Sequence, residues 1–533
     1  MSISMRRAGV VAYICLLPAG CGGHGGGGGS TTPPPPTPPP PAATFSVGGT
    51  VSGLDAVGLV LQNNAGPELA ISASGAFTFP AQLSSGSAYS VTIKTQPNIG
   101  PVQVCSLTNG SGTVASSAIT NVAIACVSRV YKFLYITSAS ANELRGYAID
   151  AASGSLTALP WQPIPTPSGP VTPMPDPSGK FVFLATRGDP FFVPPQMSVY
   201  RADNVTGALS EIAGSPYLLD TTPGQGLNLP MFVHPSGTFG HVSLPSSSPS
   251  MLYGATINPT TGELTQIPGT PINMGFGMTG MTYDATGGFV FVSTNATTNG
   301  DGEIRSFFVN VPSGVLTLIG SFPTSGNTPF GAVLTPNGDY LLTTHLNSST
   351  LMVFAVNKTA GTLTPLIAPV PTGPPGARSF GIVYNRRNNV FYTTHVPPGP
   401  ANVATFRLDP ATGAVSSVGA LHGTNGSGGS VQLHVSGRFL YQYNRNSAPP
   451  SIQRFSIDPG TGEPTVLPDV TTLPGAANVF LIQDASGKYL YVTDENASTV
   501  SSYSIDPSTG ALTLINALPT SPSGFFTSPF LLQ

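Results

Sequence analysis

Charge is what this sequence most lacks. Of its 533 residues, Lys and Arg number 19 and Asp and Glu 22, so only 8% are charged. Long surface helices need charged side chains on their wet face, and Gly (63) with Pro (56) interrupts the chain about every fifth residue. Few helical windows survive such a density of breakers, so almost no helix is expected. A net charge of -3 leaves no basic stripe for nucleic acid, and no block of like charge marks an acidic tail. The four cysteines lack zinc spacing and the carboxylates are scattered, so neither a metal nor another cofactor is expected. The glycines sit in a tether or in hairpin turns rather than opening a helix, which removes phosphate-loop and dinucleotide fingerprints. No Gly-x-Ser-x-Gly elbow joins a strand to a helix.

What is present starts with residues 1–20, basic at Arg6 and Arg7 and apolar from Ala8 to Leu17. This is the pattern of an export signal, too short to span a membrane. The following Leu17-Pro18-Ala19-Gly20-Cys21 resembles a bacterial lipobox, with Pro18 where leucine is usual. The resemblance implies that Cys21 carries lipid and that membrane lipid is a partner; the other reading is a secretory cut near Gly20 that leaves Cys21 a free thiol. Cys15 falls in the signal and Cys105 pairs naturally with Cys126, so Cys21 is left over and lipidation accounts for it. Residues 21–44 form a tether, flexible at Gly25–Gly29 and stiffened into polyproline II by Pro33–Pro36 and Pro38–Pro41. No charge follows Cys21, which by likeness to Gram-negative lipoproteins points to the outer membrane. The expected location is the cell envelope, facing the periplasm or the cell surface.

Residues 45–127 alternate apolar and polar side chains in short runs, as in Tyr89-Ser90-Val91-Thr92-Ile93. About seven strands in so short a segment suggest an immunoglobulin-like β-sandwich. Oxidation of Cys105 and Cys126 in an export compartment would stabilise its small core by about 3 kcal/mol. Modules of this kind usually act as spacers.

From Lys132 the chain repeats. The last copy reads Lys488-Tyr489-Leu490-Tyr491-Val492-Thr493-Asp494, a loop, then Ser504-Ile505-Asp506-Pro507-Ser508-Thr509-Gly510-Ala511-Leu512-Thr513. Its turn glycine recurs at Gly154, Gly207, Gly262, Gly314, Gly361, Gly413 and Gly462, at intervals of 47 to 55 residues. Four antiparallel strands per copy is the arithmetic of a propeller blade. The final Phe530-Leu531-Leu532-Gln533 matches Phe480-Leu481-Ile482-Gln483 and supplies the inner strand that the first copy lacks. The expected fold is therefore all-β, a β-propeller over 130–533 behind a small immunoglobulin-like sandwich. Eight blades are counted, with seven as the alternative if the weak copy at Thr238–Thr265 is an insertion. The residues quoted from the last copy resemble the bacterial propeller-lactonase (6-phosphogluconolactonase-like) family and the related YVTN repeats, whose rings typically have seven blades. The resemblance implies a lactone hydrolase.

Successive strands reverse direction, so the tight turns share one face of the ring. The longer second-to-third loops and the blade connections share the other, which is the place to seek a site. The residue ending the second strand reads Ser138, Thr186, Leu244, Thr294, His345, His395, Asn444 and Asp494 through the copies. His345 and His395 with Asp494 could serve as base and orienter or ligate a metal; equally, residues at this position can cap the loop through backbone amides. Arg378, just before an inner strand, could hold a carboxylate or phosphate. Asn444, Arg187 and Trp161, with Phe191 and Phe192, are candidate ligand contacts on the same face, although the aromatics could fold back onto a blade. Inner strands carry no glutamate, which weakens transfer of lactonase acid-base residues. The favoured function is a lipid-anchored propeller that binds a protein, glycan or small molecule there, with a sugar-lactone hydrolase as the alternative.

Overall fold

The computed structural model describes residues 43–188, 193–219, 230–244, 249–275, 277–295, 302–396, 402–423, 428–444, 450–473, 479–494, 497–520 and 529–533. The signal at 1–20, Cys21, nearly all of the tether, and Phe191 and Phe192 lie outside the described residues. Every regular element among the described residues is a strand.

The second strands of the repeat read Phe-Leu-Tyr-Ile-Thr-Ser at Phe133–Ser138 and Tyr-Leu-Tyr-Val-Thr-Asp at Tyr489–Asp494, and every residue in both is buried. A short continuous apolar run suits a strand covered on both faces. Here the covers are the neighbouring sheets. In the eighth copy Val479–Gln483 is innermost, followed by Tyr489–Asp494, Thr499–Ile505 and Leu512–Pro519 in antiparallel order. Seven further sheets repeat this order, and the copy at Thr238–Thr265 belongs to the third of them. Blade 1 takes its inner strand from the far end of the chain, with Phe530 opposite Tyr135 and Leu532 opposite Phe133.

The blade count is settled by the cores between sheets. Each junction has its own buried cluster, and the last joins Tyr491 and Val500 of blade 8 to Ile136 and Leu156 of blade 1. Eight sheets and eight such clusters describe one closed ring of eight blades. Closure leaves no large sheet with a free inner edge on which aggregation could start. Asn516 of blade 8 also accepts from the Leu156 amide (3.1 Å) and donates to the Leu156 carbonyl (2.7 Å) of blade 1.

The repeated turn glycine does two things, shown best at Gly154. Its φ is +74°, and a Cβ there would lie 2.2 Å from the Tyr489 ring of the preceding blade. A side chain would strain the backbone and force the blades apart. The aspartate that opens this turn caps it: Asp506 accepts from the Ser508 hydroxyl and the Thr509 and Ser508 amides, which hold its carboxyl below the usual carboxylate range.

Residues 44–128 form two four-stranded sheets and a two-stranded one. Val47, Phe77 and Ile124 from one large sheet and Leu61 and Val91 from the other share a core, which makes the unit a two-layer sandwich. One pairing in it, Val47–Ser52 with Ile119–Ser128, is parallel. Cys105 and Cys126 lie opposite one another on adjacent strands and are disulfide-bonded. The sandwich is docked on the ring: the Gly100 amide donates to the Val435 carbonyl (3.0 Å) and the Val102 amide to the Ala485 carbonyl (2.8 Å), both in tight turns. It therefore occupies the tight-turn face at blades 7 and 8.

Candidate functional site

The column of residues ending the second strands has one recurring task. The Thr186 hydroxyl donates to the Gln196 carbonyl (3.3 Å) and that of Thr294 to the Glu303 carbonyl (3.5 Å), in each case the first residue of the third strand. His345 and His395 repeat it, with Nδ1 3.2 Å from the Thr350 and Asn402 carbonyls. Both rings are fully buried. The connections entering their blades pack directly on them, since a Cβ at Gly326 or Gly373 would come within 2.4 Å and 2.7 Å of the respective ring. Nε2 of His395 also meets the Thr372 hydroxyl at 3.3 Å. Burial pushes the His395 imidazole below its ordinary range, with the Asn402 carbonyl opposing in part.

Asp494 is almost fully buried, and its carboxylate accepts from the Ala497 amide (3.1 Å), as the Ser138 hydroxyl accepts from the Ala141 amide (3.2 Å). Asn444 ends the second strand of blade 7, fully buried opposite Ser451. Ser138 and Asp494 thus hold backbone amides of the loops that follow them. The tight-turn histidines link blades instead: Nε2 of His234 meets the Gly287 carbonyl at 3.0 Å and that of His434 the Gly487 carbonyl at 2.8 Å.

Trp161 does not project as a ligand contact. Its indole stacks on Tyr135 (6.3 Å, 24° between planes) in the blade 1 core, as long aromatics do when a neighbouring glycine leaves room; Gly146 lies directly beneath it. Arg187 is partly buried, with its side-chain carbons against Gly169, and burial lowers its guanidinium pKa.

Arg378 differs from all of these. It opens the inner strand Arg378–Asn385 of blade 6 and reaches back to blade 5, where Nη2 donates to the Asn347 carboxamide oxygen (3.1 Å). The Asn347 amide in turn donates to the Thr328 hydroxyl (2.8 Å) and the Asn327 side chain (3.3 Å), and the Ser348 hydroxyl accepts from the Asn327 amide (3.2 Å). The Nε of Arg378 is buried without a hydrogen-bond partner. Two residues further along, Phe380 stacks on Phe330 of blade 5 (5.1 Å, 25°) and keeps 38% of its surface exposed. An arginine and the Phe380–Phe330 pair on the innermost strands of blades 6 and 5 thus stand near amides and hydroxyls carried by the blade 5 connections, one entering its inner strand and one joining its second and third strands. Sequence reasoning found Arg378 and missed Asn327, Asn347, Phe330 and Phe380. The signal available was that Arg378 and Phe380 lie two apart at the start of one strand, as residues on one side of a regular strand do, although the pairing here is bulged between Ser379 and Ile382.

The sequence model of the family described as lactonase, 7-bladed beta-propeller, matches residues 231–380 and 382–527, more than half of the chain. The chain belongs to this lactonase family. The matched residues run from blade 3 to blade 8, and the eight propeller sheets among the described residues exceed the family description by one. A search of curated proteins finds no match. Among solved structures, the periplasmic gluconolactonase of Pseudomonas aeruginosa is similar at 17% identity, covering 75% of this chain and 99% of its own, with a TM-score of 0.51. A protein from Lactobacillus plantarum is 14% identical over 76% of this chain and 100% of its own, with a TM-score of 0.49. A dihydro-heme d1 dehydrogenase is 12% identical over 75% of each chain, also with a TM-score of 0.51. Two proteins of unlike named activity reach the same score, so the likeness speaks for the fold alone.

Proposed function

We propose that this propeller hydrolyses a sugar lactone on its loop-rich face, at the Arg378 cluster. Family membership favours this reading over a purely binding role. The observation that carries it is the Arg378 guanidinium, anchored through Asn347 and on the same inner strand as the exposed Phe380, which stacks on Phe330. Lactone hydrolysis adds water to the acyl carbon, builds charge on the carbonyl oxygen, and expels the ring alkoxide, which leaves as a hydroxyl of the hydroxy acid. A fixed guanidinium donor stabilises that developing charge and then holds the product carboxylate. The aromatic face suits the apolar side of a sugar ring. His345 and His395, in this reading, hold the loop ends that frame the site.

The test is acid release from a panel of aldonolactones and phosphorylated aldonolactones by the wild type and Arg378→Ala. Turnover of at least one lactone, lost in the variant, is expected; inactivity across the panel, or undiminished turnover by Arg378→Ala, overturns the proposal. On the sequence pattern we also propose that the protein is held in the cell envelope by lipid on Cys21.

A further inference from the structure

The cations of this chain are few, and four of them stand together. Arg129, Lys132, Lys180 and Arg201 line one open cleft of about 1040 Å³ between the sandwich and blades 1 and 2. That is four of the 19 Lys and Arg residues in the sequence. Opposing side-chain charge in the wall comes from Asp203, so the side chains of the cleft are net positive. Elsewhere, four described basic groups find acids, Lys94 with Glu68, Arg145 with Glu143, Arg305 with Glu303 and Lys358 with Asp339, and others, such as Arg407 and Arg454, donate to backbone carbonyls. No described carboxylate forms an ion pair with any of the four in the cleft.

Their neighbours show which are already engaged. Arg201 lies over the Phe181 ring (4.9 Å) and donates to the Thr260 carbonyl (2.6 Å), and Lys132 donates to the Asn204 carbonyl (3.2 Å). Arg129 and Lys180 are exposed, and among the described residues their side chains have no hydrogen-bond partner. Asp203 is turned to its own turn, accepting from the Val205 (2.8 Å) and Thr206 (3.1 Å) amides, which hold its carboxyl below the usual range. It stays ionised in the wall, and no ion pair joins it to Lys132 or Lys180. One wall comes from the sandwich and its connection, through Val104 and Arg129, and the other from blade 2, whose tight turn carries Lys180 and whose third strand carries Arg201. The cleft is at the upper end of the size usual for a ligand pocket, about 300–1,000 Å³, and far exceeds what a single small anion fills.

We infer that this cleft binds a linear anionic polymer whose repeat carries phosphate or carboxylate groups, bridging Arg129 on the sandwich side to Lys180 on the ring. Clustered unpaired cations raise the local concentration of such a ligand, and their attraction is screened as salt rises. The site lies on the tight-turn side, away from Arg378, and stands independently of the lactonase reading.

The experiment titrates the full chain by calorimetry with short-chain inorganic polyphosphate, oligogalacturonate and neutral dextran. Saturable binding of polyphosphate or oligogalacturonate at low salt is expected, abolished at 0.5 M salt, with no binding of dextran; which of the two binds separates the phosphate from the carboxylate source. Arg129→Gln/Lys180→Gln should weaken it by about fivefold to tenfold, while Lys94→Gln/Lys358→Gln, at paired lysines outside the cleft, leaves it unchanged. Both variants replace exposed side chains, and their melting temperatures are compared with the wild type. Ser210→Lys, which adds a cation to the same wall, should tighten binding. Absence of binding by either polyanion, equal binding of dextran, or an affinity indifferent to both the double variant and Ser210→Lys overturns the inference.

Discussion

Replacing Phe530 by alanine tests the closure of the ring where it is most exposed to failure. Phe530 is 5% exposed, lies opposite Tyr135 in the sheet, and stacks on it at 4.9 Å with 16° between planes. Truncating a buried phenylalanine costs about 3–5 kcal/mol. The closing strand Phe530–Leu532 is short and can relax, so the lower figure of about 3 kcal/mol applies. The molecule carries its own reporter. Its single tryptophan, Trp161, also stacks on Tyr135, so its fluorescence follows blade 1. With a urea slope of about 3 kcal/mol per molar, the Trp161 transition should fall by about 1 M urea. Leu514, 54% exposed on the outer strand of blade 8, is the control, and Leu514→Ala should change stability by under about 0.5 kcal/mol. A Phe530→Ala midpoint equal to that of the wild type, or one matched by Leu514→Ala, would refute closure by the terminal strand.

Gly154→Ala should destabilise the ring well beyond Gly214→Ala, because both have positive φ but only Gly154 has a ring within 2.2 Å of the added methyl; paired urea melts check this. Cys105→Ser/Cys126→Ser should lower sandwich stability by about 3 kcal/mol, read by differential scanning calorimetry with and without reductant. Acid should weaken the fold through the buried histidines. Burial lowers His241, fully buried on the second strand Phe239–Leu244 of blade 3, from 6.5 to about 4 and depresses His234, His395 and His434. Below pH 6.5 the unfolded chain binds protons that these folded sites refuse, so stability is complete above that pH and declines as pH falls toward 4. His241 alone contributes on the order of 3 kcal/mol to the loss, and His241→Phe should flatten the urea-midpoint profile between pH 7 and pH 4.5. For Cys21, mass spectrometry of the mature N-terminus should show the lipid; an unmodified terminus in membrane-free extract would contradict the anchor.

The ring was readable because its rules are local and repeated. The spacing of Gly154 through Gly510 gives the blades, and the match of Phe530–Gln533 to Phe480–Gln483 gives the closure. The chemistry was less readable, because burial is decided between blades. His345 and His395 carry a chemistry that suggests catalysis, but Gly326 and Gly373 seal their rings, and those contacts have no periodic mark in the sequence. Trp161 turned inward for a similar reason, finding space above Gly146. The Arg378 cluster was half visible: an arginine before an inner strand is a local feature, whereas its bond to Asn347 and the meeting of Phe330 with Phe380 depend on two blades lying side by side. The docking of the sandwich through Gly100 and Val102 left no sequence signal beyond an ordinary turn.

The central claim is that Arg378, and not the buried histidines, acts on the lactone. The measurement that tests it most directly is kcat/KM for the best lactone substrate in wild type, Arg378→Ala, Arg378→Lys and His395→Gln, with fold confirmed by the Trp161 melt. The account predicts that Arg378→Ala loses about a hundredfold or more, as expected for a donor at a developing oxyanion, that Arg378→Lys recovers part of it, and that His395→Gln changes stability more than turnover. Full activity in Arg378→Ala together with its collapse in a stably folded His395→Gln would contradict the account.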